Sequence, residues 1–146
     1  MKLYTIGFTQ KSARRFFELL QSNSVQCLID ARLHPGGQLS GFAKQDDLRF
    51  FLERLIGCEY EHLPELAPED EFLSAYRKDH NWTRYAEKFE ALMDARDIPN
   101  SLDRTLFQGQ ACCLLCSEAK PDCCHRRLVA ERIAGLWPGV EVVHLT

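Results

Sequence analysis

Short apolar runs alternate along the chain with stretches in which apolar residues recur every three or four positions. The runs at 2–7, 25–31, 58–63, 111–116 and 140–145 have the length and composition of strands. Runs 25–31 and 111–116 are apolar on both faces, which is typical of interior strands in a parallel sheet. Run 58–63 alternates apolar and polar residues, so we expect it to lie nearer an edge of the sheet.

Helices are predicted between these runs, and Ser12 is a typical N-cap for the first of them. About five are expected: 12–23, a segment capped by Asp46 or Asp47, 70–78, 82–96 and 125–136. Segment 99–109 is predicted to be irregular or briefly helical. The side chains expected to face the core from these helices are Phe16, Phe17, Leu19, Leu20, Leu48, Phe51, Leu52, Leu55, Tyr85, Phe89, Leu92, Met93, Leu128, Val129, Ile133 and Leu136.

The alternation of strands and helices predicts one α/β domain over residues 1–146, with three layers and a mainly parallel sheet of about five strands flanked by helices. In open parallel sheets, ligands bind at the carboxyl ends of the strands, near the point where the strand order reverses. The residues that directly follow each strand are therefore the first candidates for a functional site.

Composition and charge narrow the class of protein. The chain has 146 residues, of which 45% are hydrophobic, and a domain of this kind needs no metal or disulfide to hold its core together. No stretch reaches the ~20 apolar residues that span a bilayer, and the N-terminus lacks a secretion signal. We therefore expect a cytoplasmic protein without a membrane partner. The net charge of −3 does not favour nucleic acid as a partner.

The chain contains seven cysteines, and in a reducing cytosol we expect them to be free thiols. Four lie in apolar runs and are interpreted as small core residues: Cys27, Cys58, Cys112 and Cys113. The other three, Cys116, Cys123 and Cys124, lie where the strand 111–116 ends and the helix 125–136 begins. Their position at that junction makes them candidates for chemistry rather than packing.

Several polar, charged or nucleophilic side chains follow the first, second and fourth predicted strands, whose carboxyl ends share one edge of a parallel sheet. The predicted site consists of Gly7, Thr9, Arg32, Cys116, Glu118, Cys124, His125 and Arg126. Because free N–H groups at a helix start attract anions and lower the pKa of a thiol there, Cys116 or Cys124 is a candidate nucleophile.

The same set suits an anionic small molecule bearing a phosphate, sulfur or carboxylate group. Arg32 and Arg126 would grip such a group through their planar guanidinium groups. His125, with an ordinary pKa near neutral pH, and Glu118 would transfer protons. Gly7 and Thr9 belong to the predicted substrate-binding group. Whether the protein is an enzyme stays open at this point.

Two alternatives compete with that hypothesis. The spacing C-x6-C-C-H at Cys116, Cys123, Cys124 and His125 offers thiolate and imidazole ligands, although structural zinc usually shows two separate cysteine pairs. No cofactor other than zinc is expected. The second alternative is a binding module that recognises a nucleotide or an exposed nucleic-acid end without turnover. For Asp30, anchoring a neighbouring Arg is as plausible as chemistry.

Five short motifs together resemble the DUF488 family of uncharacterised bacterial and archaeal proteins. They are TIG at 5–7, LIDAR at 28–32, Y-x-H-L-P-E-L at 60–66, LLCSE at 114–118 and CHR at 124–126. The resemblance extends over nearly the whole chain, although Ala31 stands where the family commonly has Val. It implies a compact α/β fold and a polar cluster, without a known reaction, at Arg32, Cys116, Glu118, Cys124, His125 and Arg126.

The chain is also faintly similar to rhodanese-like and cysteine-phosphatase domains, which share an L-I-D-x-R strand and a later cysteine loop before a helix. Their loop places Cys and Arg about five residues apart, whereas Cys116 and Arg126 are ten positions apart here. This similarity is an analogy of layout rather than a motif match.

Overall fold

The computed structural model describes residues 1–37 and 41–146. Over those residues five strands are present: β1 (Lys2–Gly7), β2 (Cys27–Asp30), β3 (Glu59–His62), β4 (Cys112–Cys116) and β5 (Glu141–Leu145). They form one parallel sheet in the order β3-β2-β4-β1-β5. The predicted α/β fold with a mainly parallel five-stranded sheet is confirmed, with β2 and β4 in the interior and β3 at an edge.

Six α-helices flank this sheet in the part of the chain that the structure describes. They are α1 (Ala13–Ser22), α2 (Gln45–Phe51), α3 (Asp70–Asp79), α4 (Trp82–Ala95), α5 (Arg104–Gln108) and α6 (His125–Leu136). A π-helical turn (Leu52–Ile56) extends α2, and 3-10 turns form at Pro35–Gly37, Gly41–Ala43 and Pro64–Leu66. Residues 38–40 of the predicted loop lie outside the described residues. None of the described helices has the length and apolar character needed to cross a membrane.

The sheet separates two apolar layers because side chains alternate between its faces. In β4, Cys112 and Leu114 pack into the layer formed with α4, α5 and α6. Cys113 and Leu115 point the other way, into the layer formed with α1 and α2. These two layers on either side of the sheet complete the three-layer architecture.

Four cysteines are buried in these layers, as expected: Cys27, Cys58, Cys112 and Cys113. Burial raises the pKa of the Cys58 thiol to about 12 and that of Cys113 well above its ordinary value. The hydrogen bond to Cys112, together with burial, also raises the pKa of Cys27. Cys27, Cys58 and Cys113 therefore stay protonated and unreactive at neutral pH.

Two residues expected to face the core are exposed instead. Leu55 is 58% exposed, because the helix widens into a π turn after Phe51 and the 3.6-residue spacing no longer holds. Leu136 is also 58% exposed, because α6 ends at that residue. The next residue, Trp137, is buried in the apolar layer formed with α4, α5 and α6.

The N-cap residue predicted for α1 is confirmed, whereas the one predicted for α2 is not. The Ser12 hydroxyl accepts a hydrogen bond from the Arg15 backbone N–H at 3.1 Å and caps α1 as predicted. The predicted cap of α2 is wrong, because Lys44 occupies the N-cap position and makes no side-chain cap bond. Asp46 and Asp47 lie within the first turn, where their negative charges favour the positive end of the helix dipole.

The order of the strands brings three carboxyl ends together. The chain runs from β1 to β2 and β3 toward one edge, returns to place β4 between β1 and β2, and then adds β5 on the far side of β1. The direction of chain progression therefore reverses beside β4. The segments after β1, β2 and β4 meet at that point, where open parallel sheets bind ligands.

Candidate functional site

A cavity of about 610 Å³ lies at this edge of the sheet. Six of the eight predicted site residues line it, namely Thr9, Arg32, Cys116, Glu118, Cys124 and His125. The opposite wall comes from α3 and its C-cap through Tyr76, Arg77 and His80. This wall was not predicted from the sequence, because α3 is separated from β4 by a long connection and its residues follow no strand end.

Arg32 is held by the aspartate two residues before it. Its Nε and Nη2 atoms donate to the Asp30 carboxylate at 2.8 and 2.7 Å, and its backbone N–H donates to the same carboxylate at 3.1 Å. Both side chains are buried, with 2% and 0% exposed. Asp30 therefore acts as an anchor for Arg32, which is one of the two roles open from the sequence.

Around the Arg32–Asp30 pair, one nitrogen of the guanidinium has no hydrogen-bond partner among the described residues. Tyr60 donates its hydroxyl to Asp30 at 2.5 Å, and the Phe8 ring packs 5.2 Å from the Arg32 guanidinium carbon. Nη1 of Arg32 is buried and has no hydrogen-bond partner among the described residues. A buried donor without a partner is costly, and Arg32 is one of the residues that line the cavity.

Arg126 lies in the interior instead of on the cavity wall. Its side chain is fully buried, and its Nη1 donates to the Glu118 carbonyl at 2.5 Å and to the Cys116 sulfur at 3.1 Å. Its Nε and Nη2 donate to the Thr5 hydroxyl at 3.3 Å and the Ala119 carbonyl at 3.4 Å. Burial lowers the pKa of Arg126 to about 10, so it stays charged at neutral pH. Through these contacts Arg126 stabilises the loop that follows β4, in contrast to the anion-binding role expected from the sequence.

Gly7 and Thr9 also contact the loop after β4, here called the cysteine loop (residues 117–123). A side chain at Gly7 would place its Cβ 1.6 Å from the Glu118 carbonyl oxygen, so only glycine allows this close approach. The Thr9 hydroxyl donates to the Ser117 carbonyl at 2.6 Å. Both residues therefore position the loop, and Thr9 lines the cavity as well.

Cys116, at the end of β4, and Cys124, at the N-cap of α6, meet in the cavity wall. The structure joins them in a disulfide, with Cα atoms 7.7 Å apart. This pairing differs from the expectation of free thiols, because the turn of the cysteine loop returns the chain to the strand end. In the described part of the chain, the other cysteines are free.

His125 is oriented by a backbone carbonyl. Its Nε2 lies 2.8 Å from the Ala31 carbonyl oxygen, which only accepts hydrogen bonds, so Nε2 carries the proton and Nδ1 keeps its lone pair. Burial lowers the pKa of His125 to about 4. The imidazole is therefore neutral at neutral pH, in contrast to the ordinary pKa expected from the sequence, and proton transfer by His125 stays a prediction.

Three of the site residues could hold a metal ion together. The sulfurs of Cys116 and Cys124 and a ring nitrogen of His125 all lie within 4.8 Å of one another, and within residues 1–37 and 41–146 no other such group of three forms. Cys123, the fourth member of the predicted zinc set, is exposed and lies outside this group. The Glu118 side chain is exposed on the cavity wall, where proton transfer stays a prediction.

The protein belongs to the α/β class and contains a parallel sheet. Cysteine, histidine and arginine side chains line the cavity at the carboxyl edge of this sheet. Residues 12–133 match the family described as domain of unknown function DUF488, and the chain belongs to this family. The resemblance read from the short motifs is thereby confirmed, whereas the similarity to rhodanese-like and cysteine-phosphatase domains stays a prediction. No match was found among curated proteins or among solved structures.

Proposed function

We propose that this protein binds an anionic small molecule in the cavity and that an oxygen of this molecule accepts a hydrogen bond from Nη1 of Arg32. The supporting observation is that Nη1 is buried and lacks a partner among the residues described, on a side chain that lines the cavity. A buried unsatisfied donor costs ~1–3 kcal/mol. A ligand oxygen at that position would recover this free energy on binding.

The charge balance of the site favours an anion over a neutral molecule. Arg32 and Asp30 neutralise each other. The acceptors around Arg126, within the part of the chain described, are a hydroxyl, two backbone carbonyls and the sulfur of Cys116, with no carboxylate among them. Its positive charge is therefore available to stabilise an anion nearby. The N-terminus of α6, which begins at His125, adds the positive end of a helix dipole.

Chemistry on the bound molecule would involve the two cavity cysteines. Cys116 and Cys124 line the same cavity as Arg32, and the Arg126 N–H that donates to the Cys116 sulfur favours the thiolate over the thiol. Either sulfur is the proposed nucleophile when the pair is reduced. Glu118 is the proposed proton-transfer group on the exposed wall.

The test is a calorimetric titration of reduced, chelator-treated protein with inorganic phosphate and inorganic sulfate. Arg32→Lys keeps a positive charge beside Asp30 but removes Nη1, the donor that has no partner among the described residues. A hydrogen bond to a charged group is worth ~1.5–3 kcal/mol, so we expect the affinity to fall by about tenfold or more. Arg77→Gln is the matched control, since this exposed side chain lines the same cavity and should change the affinity by less than about fivefold.

Unchanged affinity in Arg32→Lys, or an equal loss in Arg77→Gln, would overturn the proposal. Circular dichroism and urea unfolding establish whether Arg32→Lys is folded. A double variant, Asp30→Asn with Arg32→Gln, removes both buried charges together and leaves neither one unpaired. It should remain folded and bind neither anion measurably.

A further inference from the structure

We propose that the reduced protein binds one divalent metal ion of the zinc type through the sulfurs of Cys116 and Cys124 and Nδ1 of His125, with a fourth coordination position open to the cavity. Two thiolates and an imidazole are ligands typical of zinc. Binding displaces the two thiol protons to the buffer and leaves the metal and sulfur oxidation states unchanged.

The spacing of the ligand atoms suits a single ion. With zinc–ligand bonds of ~2.0–2.3 Å, the ligands of a tetrahedral site lie about 3.5 Å from one another. The two sulfurs and a His125 ring nitrogen lie within 4.8 Å of one another, so side-chain rotations suffice to surround an ion. The Cα atoms of Cys116 and Cys124 are 7.7 Å apart, beyond the ~4.4–6.8 Å usual for disulfides, so that once the disulfide is reduced the two sulfurs can separate around an ion.

Two of the three proposed ligands, His125 and Cys116, form hydrogen bonds of the kind that orients metal ligands. His125 donates from Nε2 to the Ala31 carbonyl at 2.8 Å, which leaves Nδ1 as the coordinating atom. Metal-binding histidines typically make this contact with a carbonyl or carboxylate. Arg126 donates to the Cys116 sulfur at 3.1 Å, a contact that stabilises a coordinated thiolate.

The fourth position distinguishes this site from a structural metal site. Structural zinc sites have four protein ligands, whereas sites that act on a substrate keep one position for water or the substrate. Cys123 is exposed and excluded from the group, and all three proposed ligands line the cavity that Arg32 also lines. An anion held by Arg32 would complete the coordination, and this last step rests on the proposed function.

The experiment is a titration of reduced protein with Co²⁺ in the absence of phosphate and sulfate, followed by displacement with Zn²⁺. Tetrahedral thiolate coordination gives visible cobalt bands and a sulfur-to-cobalt charge-transfer band, so the readout is independent of any activity. Cys116→Ser, Cys124→Ser and His125→Ala each remove one ligand. Cys123→Ser is the matched control, because it changes the adjacent thiol of the same motif.

We expect saturation at one equivalent in the unsubstituted protein and in Cys123→Ser, and at least about tenfold weaker binding in each ligand variant. Absence of the charge-transfer band, or equal weakening by Cys123→Ser and Cys124→Ser, would overturn the proposal. A second measurement does not depend on the folding of variants: Zn²⁺ should protect Cys116 and Cys124 of the unsubstituted protein from alkylation and leave Cys123 reactive. Alkylation of all three at unchanged rates would count against the site.

The two proposals fail separately. Cobalt binding is measured in anion-free buffer and phosphate binding is measured on the chelator-treated protein, so each titration tests one proposal in the absence of the other ligand. Cobalt binding without anion binding would refute only the proposed function. Anion binding without the cobalt bands would refute only the metal site.

Discussion

Replacing Gly7 by Ala tests how the cysteine loop is held against the sheet. The added methyl carbon would lie 1.6 Å from the Glu118 carbonyl oxygen and 3.1 Å from Nη1 of Arg126. Ordinary contact with the oxygen begins at 3.4 Å, so this carbonyl must withdraw by 1.8 Å, the difference between the two distances. That displacement breaks the hydrogen bond of 2.5 Å from Arg126 to Glu118.

The expected cost combines two effects. Forcing an extra carbon into a packed interior costs ~1–3 kcal/mol, and removing an acceptor from a buried charged donor costs another ~1–3 kcal/mol. We therefore expect Gly7→Ala to lower the free energy of unfolding by about 2–6 kcal/mol. Because the displaced carbonyl belongs to the cysteine loop, the variant should also bind phosphate more weakly than the unsubstituted protein.

Urea unfolding followed by circular dichroism measures the first effect, and phosphate calorimetry measures the second. Gly135→Ala is the matched control, because nothing lies within 4 Å of its added carbon and it lies within α6. Alanine is the better helix former, so this variant should be unchanged or up to about 1 kcal/mol more stable. Equal stability of the two variants would refute the close approach at Gly7.

Three further outcomes are expected. Tyr60→Phe removes the hydroxyl donor 2.5 Å from Asp30 and should cost ~1–3 kcal/mol in urea unfolding; no loss would contradict the buried network. Thr9→Val removes the bond of 2.6 Å to Ser117 and should cost about 1 kcal/mol in the same assay. Burial lowers the pKa of His125 from 6.5 to about 4, so the unfolded state takes up its proton first. Chelator-treated protein should therefore lose up to about 3 kcal/mol of stability as the pH falls through that window, and His125→Gln should not show this part of the loss.

The fold was predictable where local pattern and burial coincide. Strand β4 was expected at 111–116 and is observed at Cys112–Cys116 in the middle of the sheet. Helix α6 begins at His125 and ends at Leu136, as the periodicity predicts. Leu55 was not predictable in the same way, because the π turn that exposes it depends on how the end of α2 packs.

The location of the site was predictable from the sequence, but the roles of its side chains were only partly predictable. Parallel strands share one carboxyl edge, so the positions of Arg32, Cys116 and Cys124 along the chain predicted a site at the edge of the sheet where the cavity lies. The roles of two arginines could not be separated on this basis. Whether a guanidinium faces a cavity or the interior depends on neighbours distant in sequence, such as Asp30 for Arg32 and the Glu118 carbonyl for Arg126.

The sequence by itself determined the α/β class, the interior position of β4, the DUF488 motifs and the edge of the sheet that carries the polar residues. These follow from periodicity and from residue type, which act over a few neighbouring positions. Only the tertiary structure decided that Arg126 is a buried support, that Cys123 lies apart from Cys116 and Cys124, and that α3 closes the cavity. Each of these depends on contacts across the order β3-β2-β4-β1-β5, which local pattern does not encode.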